Sequence, residues 1–474
     1  MGALAAFGAA CGDDNGGTGG TGGTGGTGGT GGTGGTVDLC ADNGGSGTVQ
    51  ISNEEITQNT VLKLPCTYQL NQETYVVNGA TLTIDAGVTV QGISGSALIV
   101  TTSGKIEANG TKEAPITMTA VGEPGQRIAG DWGGLVLLGK ATLSWGGATC
   151  GGDTGITCTN NIEGLPSDEN RGQYGGDDDT WDCGTLNYVR IQFAGFKFGG
   201  VEGNELNSLT VGGCGSDTSL DFIQLHRGLD DGVEFFGGIP DISHLIVSGT
   251  GDDGLDWDQG YRGNVTNFIV HHFAGSSEDP RGIEADNYSQ NPDVTPRSAP
   301  TVRYGTIVAS AGSTQQGMVL RRGTWGTVDG VVVQGWSRAG VDIRDNGWAA
   351  TGGWPTGLLV TNGCFDNNNP NFIEDVNCRE ETDPDTGETV IVGDSDCNDY
   401  SGTGNVEDEV NFFPENTNMP AQNNVVVDPG FVGDYSGAID GDTPDYRIDN
   451  PDCQGAFYPD GTDWTADWTE FPPN

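Results

Sequence analysis

The chain has 474 residues, 83 of them glycine, and sets 19 Lys and Arg against 66 Asp and Glu for a formal net charge of −47. That balance excludes nucleic acid, whose phosphates demand Lys and Arg, and excludes electrostatic attraction to anionic lipid. The 10 Trp and 16 Phe, with many short Val/Ile runs, argue for a packed core rather than a disordered acidic chain, and no apolar run reaches the roughly 18 residues that span a bilayer.

At the N-terminus, Cys11 ends the small-residue run Leu4–Ala10 and is followed by a tract rich in Gly, Asp, Asn and Thr. This resembles a bacterial lipoprotein signal, which implies export and a lipid on Cys11, so residues 1–11 are read as signal and anchor. Seven Gly-Gly-Thr triplets run from Gly16 to Thr36. They cannot build a core, and residues 12–39 read as a flexible tether with a typical reach of about 25–30 Å.

Ten cysteines remain: Cys40, Cys66, Cys150, Cys158, Cys183, Cys214, Cys364, Cys378, Cys397 and Cys453. An even count is consistent with five disulfides in an oxidising compartment. Spacing suggests Cys40 with Cys66, Cys150 with Cys158, Cys183 with Cys214 and Cys378 with Cys397, leaving Cys364 for Cys453, although sequence alone does not fix connectivity. Zinc is disfavoured, because no Cys-x-x-Cys occurs and the four histidines lie far from most cysteines.

From about residue 75, short strand signals such as Ala80–Ile84, Ala97–Val100 and Gly134–Leu138 alternate with Gly, Asn, Asp and Ser, with no helical period. Leu220–Glu234 aligns without a gap to Ile242–Asp256. Glycines that open successive strands lie at 232, 254, 282, 317 and 340, so the spacings are 22, 28, 35 and 23. A repeat this short cannot hold the four strands of a propeller blade, but it suits one coil of a parallel β-helix with insertions at its corners.

The chain resembles the right-handed parallel β-helix proteins that include pectate lyases, polygalacturonases and phage tailspikes, and more closely a group of secreted or lipid-anchored bacterial proteins of this shape. The likeness rests on Ile106–Thr117, Gly130–Lys140, Tyr188–Gly195 and the terminal Gly455–Phe471. It implies an all-β solenoid and no particular reaction. Residues 40–74 are expected to cap the N-terminal end, 75–364 to form the β-helix, and the acidic 365–474, with Trp464, Trp468 and Phe471, to close the C-terminal end.

Strand alternation locates the chemistry. With Val233, Leu255, Ile283, Met318 and Val341 facing inward, the outward columns are Glu234, Asp256, Glu284, Val319, Asp342 and Phe236, Asp258, Asp286, Arg321, Arg344. Carboxylates stacked about 4.8 Å apart repel by roughly 3.5 kcal/mol at an effective dielectric of 20, so a cation, shared protons or arginines must offset them. Calcium suits such hard oxygens, with Asp252, Asp253, Asp256, Glu284 and Asp286 as candidate ligands. Paired carboxylates also suit glycoside hydrolysis, and a lyase would add a base; Glu234, Asp256, Asp258, Glu284 and Arg321 are the candidate catalytic residues. Phe236, His226, Arg281 and Arg344 are candidate substrate contacts. The polygalacturonase Gly-His-Gly and Arg-Ile-Lys motifs are missing. The expectation is a surface-exposed lipoprotein of the outer membrane, or an extracellular protein, that binds polysaccharide with calcium on the acidic coil face, with cleavage as an open option; the alternative is a non-enzymatic adhesive or structural surface solenoid.

Overall fold

A computed structural model describes residues 35–144, 158–165, 171–196, 205–275, 280–289, 291–344, 357–375, 379–382, 389–392 and 423–474. Cys11, the Gly-Gly-Thr tract up to residue 34, Cys150, Cys378 and Cys397 lie outside them.

The strands are short because turn residues interrupt them, and each buries alternate side chains. Thr81–Ile84 buries Leu82 and Ile84 while its threonines stay half-exposed. Its neighbour one coil on pairs in parallel, with Leu82 opposite Ile106 and Ile84 opposite Ala108, so like stacks on like. Repetition of this rung builds a right-handed parallel β-helix, the hand that crossover sterics favour. One side is an 11-stranded ladder, and the other two sides merge into an 18-stranded ladder. They merge because, from Gly184–Gln192 onward, two strands of each coil run together through a single bend residue of positive φ: Tyr188, Phe222, His244, Asn267 and Tyr304 in successive coils. One continuous core fills the interior, from Val49 to Phe372.

The ladder starts earlier than residue 75. Thr48–Ile51 pairs with Thr67–Leu70, and Glu55–Ile56 with Tyr75–Val76. Residues 40–74 are thus largely first coils, and closure falls to the short helix Leu39–Asp42, pinned by the Cys40–Cys66 disulfide. At the other end, Val425–Val426 adds a last rung to Cys364–Asp366. The remainder of the C-terminal segment then lies along the side of the solenoid as a strap, where Trp464, Trp468 and Phe471 pack against Ile246, Ile269 and Val308. Polar hooks from the coils hold its backbone: Arg190 Nε donates to Trp468 O at 2.6 Å, and Gln224 Nε2 to Glu470 O at 2.7 Å. Two more expected disulfides are present, Cys183–Cys214 and Cys364–Cys453, and Cys158 is buried. No helix among the described residues is long and apolar enough to cross a membrane.

Candidate functional site

The inward residues Val233, Leu255, Ile283, Met318 and Val341 are fully buried in the core. Their neighbours form the outward column in register, running Thr210, Glu234, Asp256, Glu284, Val319 and Asp342 across successive rungs. Glu234 and Glu284 are each only 8% exposed, although they face away from the core, because an inserted segment roofs them. Between Leu138 and Gly184 the coil is interrupted, and Asn160–Asn161 pairs antiparallel with Gln173–Tyr174. The roof is anchored by its own chemistry: Ile162, Leu165 and Tyr174 join Leu138, Leu206 and Phe236 in an apolar cluster, Arg171 stacks on Tyr75 at 4.1 Å, and Arg171 pairs with Glu54 at 2.6 Å.

Beneath the roof is a cavity of about 370 Å³. Its walls include Asn160, Asn161, Glu163 and Tyr174 from the roof, and Glu234, Phe236, Asp256, Asp258, Gln259, Glu284, Asp286 and Arg322 from the coils. The coil carboxylates divide into two sets. Downstream, Arg321 pairs with both Glu284 and Asp286, Arg322 reaches Asp286 at 2.8 Å, and Arg281 reaches Glu284 at 2.6 Å and Asp253 at 3.6 Å. Upstream, Asp231, Glu234, Asp256 and Asp258 have no ion-pair partner among the described residues. Asn207 Nδ2 donates to Glu234 at 2.7 Å, and Asp231 accepts the Asp253 N–H at 2.8 Å. One oxygen each of Asp256 and Asp258 has no hydrogen-bond partner.

Burial, compounded by neighbouring carboxylates, raises all of these groups well above the usual carboxylate range. For Glu234 the neighbours are led by Glu163, for Asp256 by Asp253, for Asp231 by Asp230. Asp258 is raised by burial with Asp286 and Glu163 nearby, against the lowering effect of a hydrogen bond to Gln259. Burial pushes Asp253 up to about 8 against the pull of Arg281, and pushes Glu163 to about 7. Carboxyl oxygens converge within 4.8 Å of one another in three groups: Asp230–Asp231–Asp252, Asp231–Glu234–Asp256 and Asp253–Asp256–Glu284. Arginines already serve the last, and no member of the first lines the cavity, which leaves the middle group, with Glu234 and Asp256 on the wall, as the one whose charge calls for a cation or protons there.

The structure therefore brings Glu234, Phe236, Asp256, Asp258, Glu284 and Asp286 together, as the alternation argument expects. Five candidates stand in different surroundings. His226 is fully buried on the strap side, bonded to Ser248 Oγ and to Pro472 O at 3.0 Å, and cannot touch substrate in the cavity. Arg321 and Arg281 pair with carboxylates, and neither is among the residues that line the cavity. Asp286 faces two arginines, and Asp252 remains in a group that could hold a cation, converging with Asp230 and Asp231 rather than with Asp256 and Glu284. The Arg344 side chain lies outside the described residues. Sequence reasoning missed Glu163, Asn160, Asn161, Tyr174, Gln259 and Arg322. The available signal was the long break in coil period between Leu138 and Gly184, since extended insertions in compact folds tend to be functional.

Among solved structures, the chain resembles the A-module of an Azotobacter vinelandii mannuronan C-5 epimerase at 11% identity, over 72% of this chain and 80% of that one, with a TM-score of 0.27. A periplasmic alginate epimerase matches at 9% identity over 67% and 77%, with a TM-score of 0.26. The Dettilon tailspike protein matches at 11% over 71% and 57%, with a TM-score of 0.16. Scores this low carry no argument about chemistry. None of the curated proteins matches the chain. The family model for the pectate-lyase-like β-helix domain matches residues 54–412, a span that contains every wall of the cavity, and the chain belongs to that family.

Proposed function

We propose that this chain binds polysaccharide in the roofed cavity through a divalent cation, calcium, held at Asp231, Glu234 and Asp256. The observation that carries the reading is the division of the carboxylates: arginines neutralise the downstream set, while the upstream set converges without them. Hard oxygens crowded together favour calcium, and the amide, hydroxyl and aromatic groups of Asn160, Tyr174 and Phe236 suit a sugar ring. When bound, the cation supplies charge neutralisation and an anchor for sugar oxygens; the chain's own residues orient the ring and exclude water. Cleavage of the bound glycan is a second reading, favoured by the place of Asp258 and Glu234 on the cavity wall, where burial raises both above the usual carboxylate range, toward the protonated state a general acid needs.

Calorimetry with uronate and neutral oligosaccharides, with and without chelator, tests the proposal. Expected are calcium-dependent binding, a melting temperature lowered by chelator, and loss of both effects in Asp256→Asn. A reducing-end assay on wild type and Asp258→Asn decides cleavage. A wild-type protein that binds no glycan with calcium present, and melts identically with chelator, sinks the proposal in favour of the structural solenoid. Export is supported by the three disulfides among the described residues, which fit an oxidising compartment; the lipid anchor is a separate proposal, tested by a lipid mass on the Cys11 peptide.

A further inference from the structure

Glu163 belongs to no coil. It arrives on the inserted roof, between Ile162 and Leu165, which the apolar cluster with Leu206 and Phe236 fixes in place. There it lines the cavity together with Glu234, Asp256 and Asp258, and Glu234 is the side chain that acts on its carboxyl most strongly. A packed apolar anchor that delivers one more carboxyl to a face already overcharged with carboxyls works against stability, unless something in the cavity takes up the charge.

Polar atoms outside the carboxyl cluster point the same way. Thr210 stands one coil upstream of Glu234 in the same outward column, is 0% exposed, and its Oγ1 has no hydrogen-bond partner. Asn161 Oδ1, also on the cavity wall, has none either. Every one of these atoms is a hard oxygen, and a buried hydroxyl and amide left unmatched are costly without a partner.

We propose that Glu163 is a direct ligand of the cation held by Glu234 and Asp256, so that the coordination set is completed by the inserted roof and not by the coils alone. The inference rests on the calcium reading above. It gives the insertion a purpose that the repeat cannot supply, because the coils offer only in-line columns on one face, whereas a calcium ion takes six to eight oxygens from several directions. The roof adds the opposing side.

Terbium luminescence with calcium competition, on the full chain at pH 7.5, tests it. Glu163→Gln is expected to weaken calcium by about tenfold or more. Asp342→Asn, which removes one charge from the same column but lies off the cavity wall, is expected to stay within about twofold. A calcium-free melting temperature for Glu163→Gln at or above wild type, from relief of repulsion, shows that the variant is folded. Equal affinity in Glu163→Gln and wild type overturns the inference and leaves Glu163 as a proton-sharing neighbour of Glu234. Equal weakening in both variants overturns it too, since the effect is then general charge. A wild type that binds neither ion overturns the calcium reading itself, a result separable from the others.

Discussion

At the scale of single residues, the glycines that mark the repeat are steric requirements. A Cβ on Gly254 would stand 2.3 Å from Val270 Cγ1 and 2.9 Å from the Gly282 carbonyl; on Gly282 it would stand 2.3 Å from Ile307 Cγ2 and 2.4 Å from the Gly317 carbonyl. Each glycine lets the next coil approach, so the column propagates itself. Gly254→Ala is expected to cost about 1–3 kcal/mol as overpacking, read as a lower denaturation midpoint. Gly35→Ala, with open space around it, is expected to change nothing; equal stability of both variants would refute the steric account.

Among the larger elements, the strap and the roof are where sequence and structure part. Strict alternation from Leu220 would turn His226 inward; the bend at Phe222 shifts the parity so that Ile223 and Leu225 face the core and His226 faces out, where a segment some 246 residues later covers it with Pro472 and Phe471. No local pattern announces such a partner. The roof escaped for a different reason: it has no period, so it could not be aligned with anything. What was legible was the column of Glu234, Asp256 and Glu284, because glycine spacing sets register and register sets facing. What was not legible was which carboxylates the arginines take, since Arg281 and Arg321 reach across coils by side-chain rotamer rather than by position. The strap's own anchor is Trp468, fully buried, edge-on to Tyr188 at 5.5 Å and to Phe222 at 6.1 Å. Trp468→Ala is expected to lose about 3–5 kcal/mol and to open residues 423–474 to limited proteolysis while the coils resist. Coils that are digested as fast as the strap would show that the two are not separable.

For the whole molecule, acid and base limbs of stability have different owners. Folded Glu163 and Asp253 keep protons up to about pH 7 and about pH 8, against ordinary values of 4.5 and 3.8. Between about pH 4 and 8 these two groups hold more protons in the folded chain than in the unfolded one, and their contribution to stability falls as pH rises. Burial works in the opposite sense on histidine, holding His226 and His271 at about 3 and His272 at about 4 against the ordinary 6.5, so the unfolded chain takes up more protons below about pH 6.5 and stability falls as pH drops. Above about pH 6.5, where the histidines are neutral in both states, calcium-free melting temperature should fall as pH rises, and calcium should lift this alkaline limb because it binds the deprotonated carboxylates. A flat profile from pH 6 to 8 without calcium would contradict this. The strap has a mechanical consequence as well. A bare solenoid touches only its neighbours and can shed coils one at a time, but this strap grips five successive coils through Tyr188, Phe222, His244, Asn267 and Tyr304. It acts as a splint, so those turns yield to a pulling force together rather than in sequence.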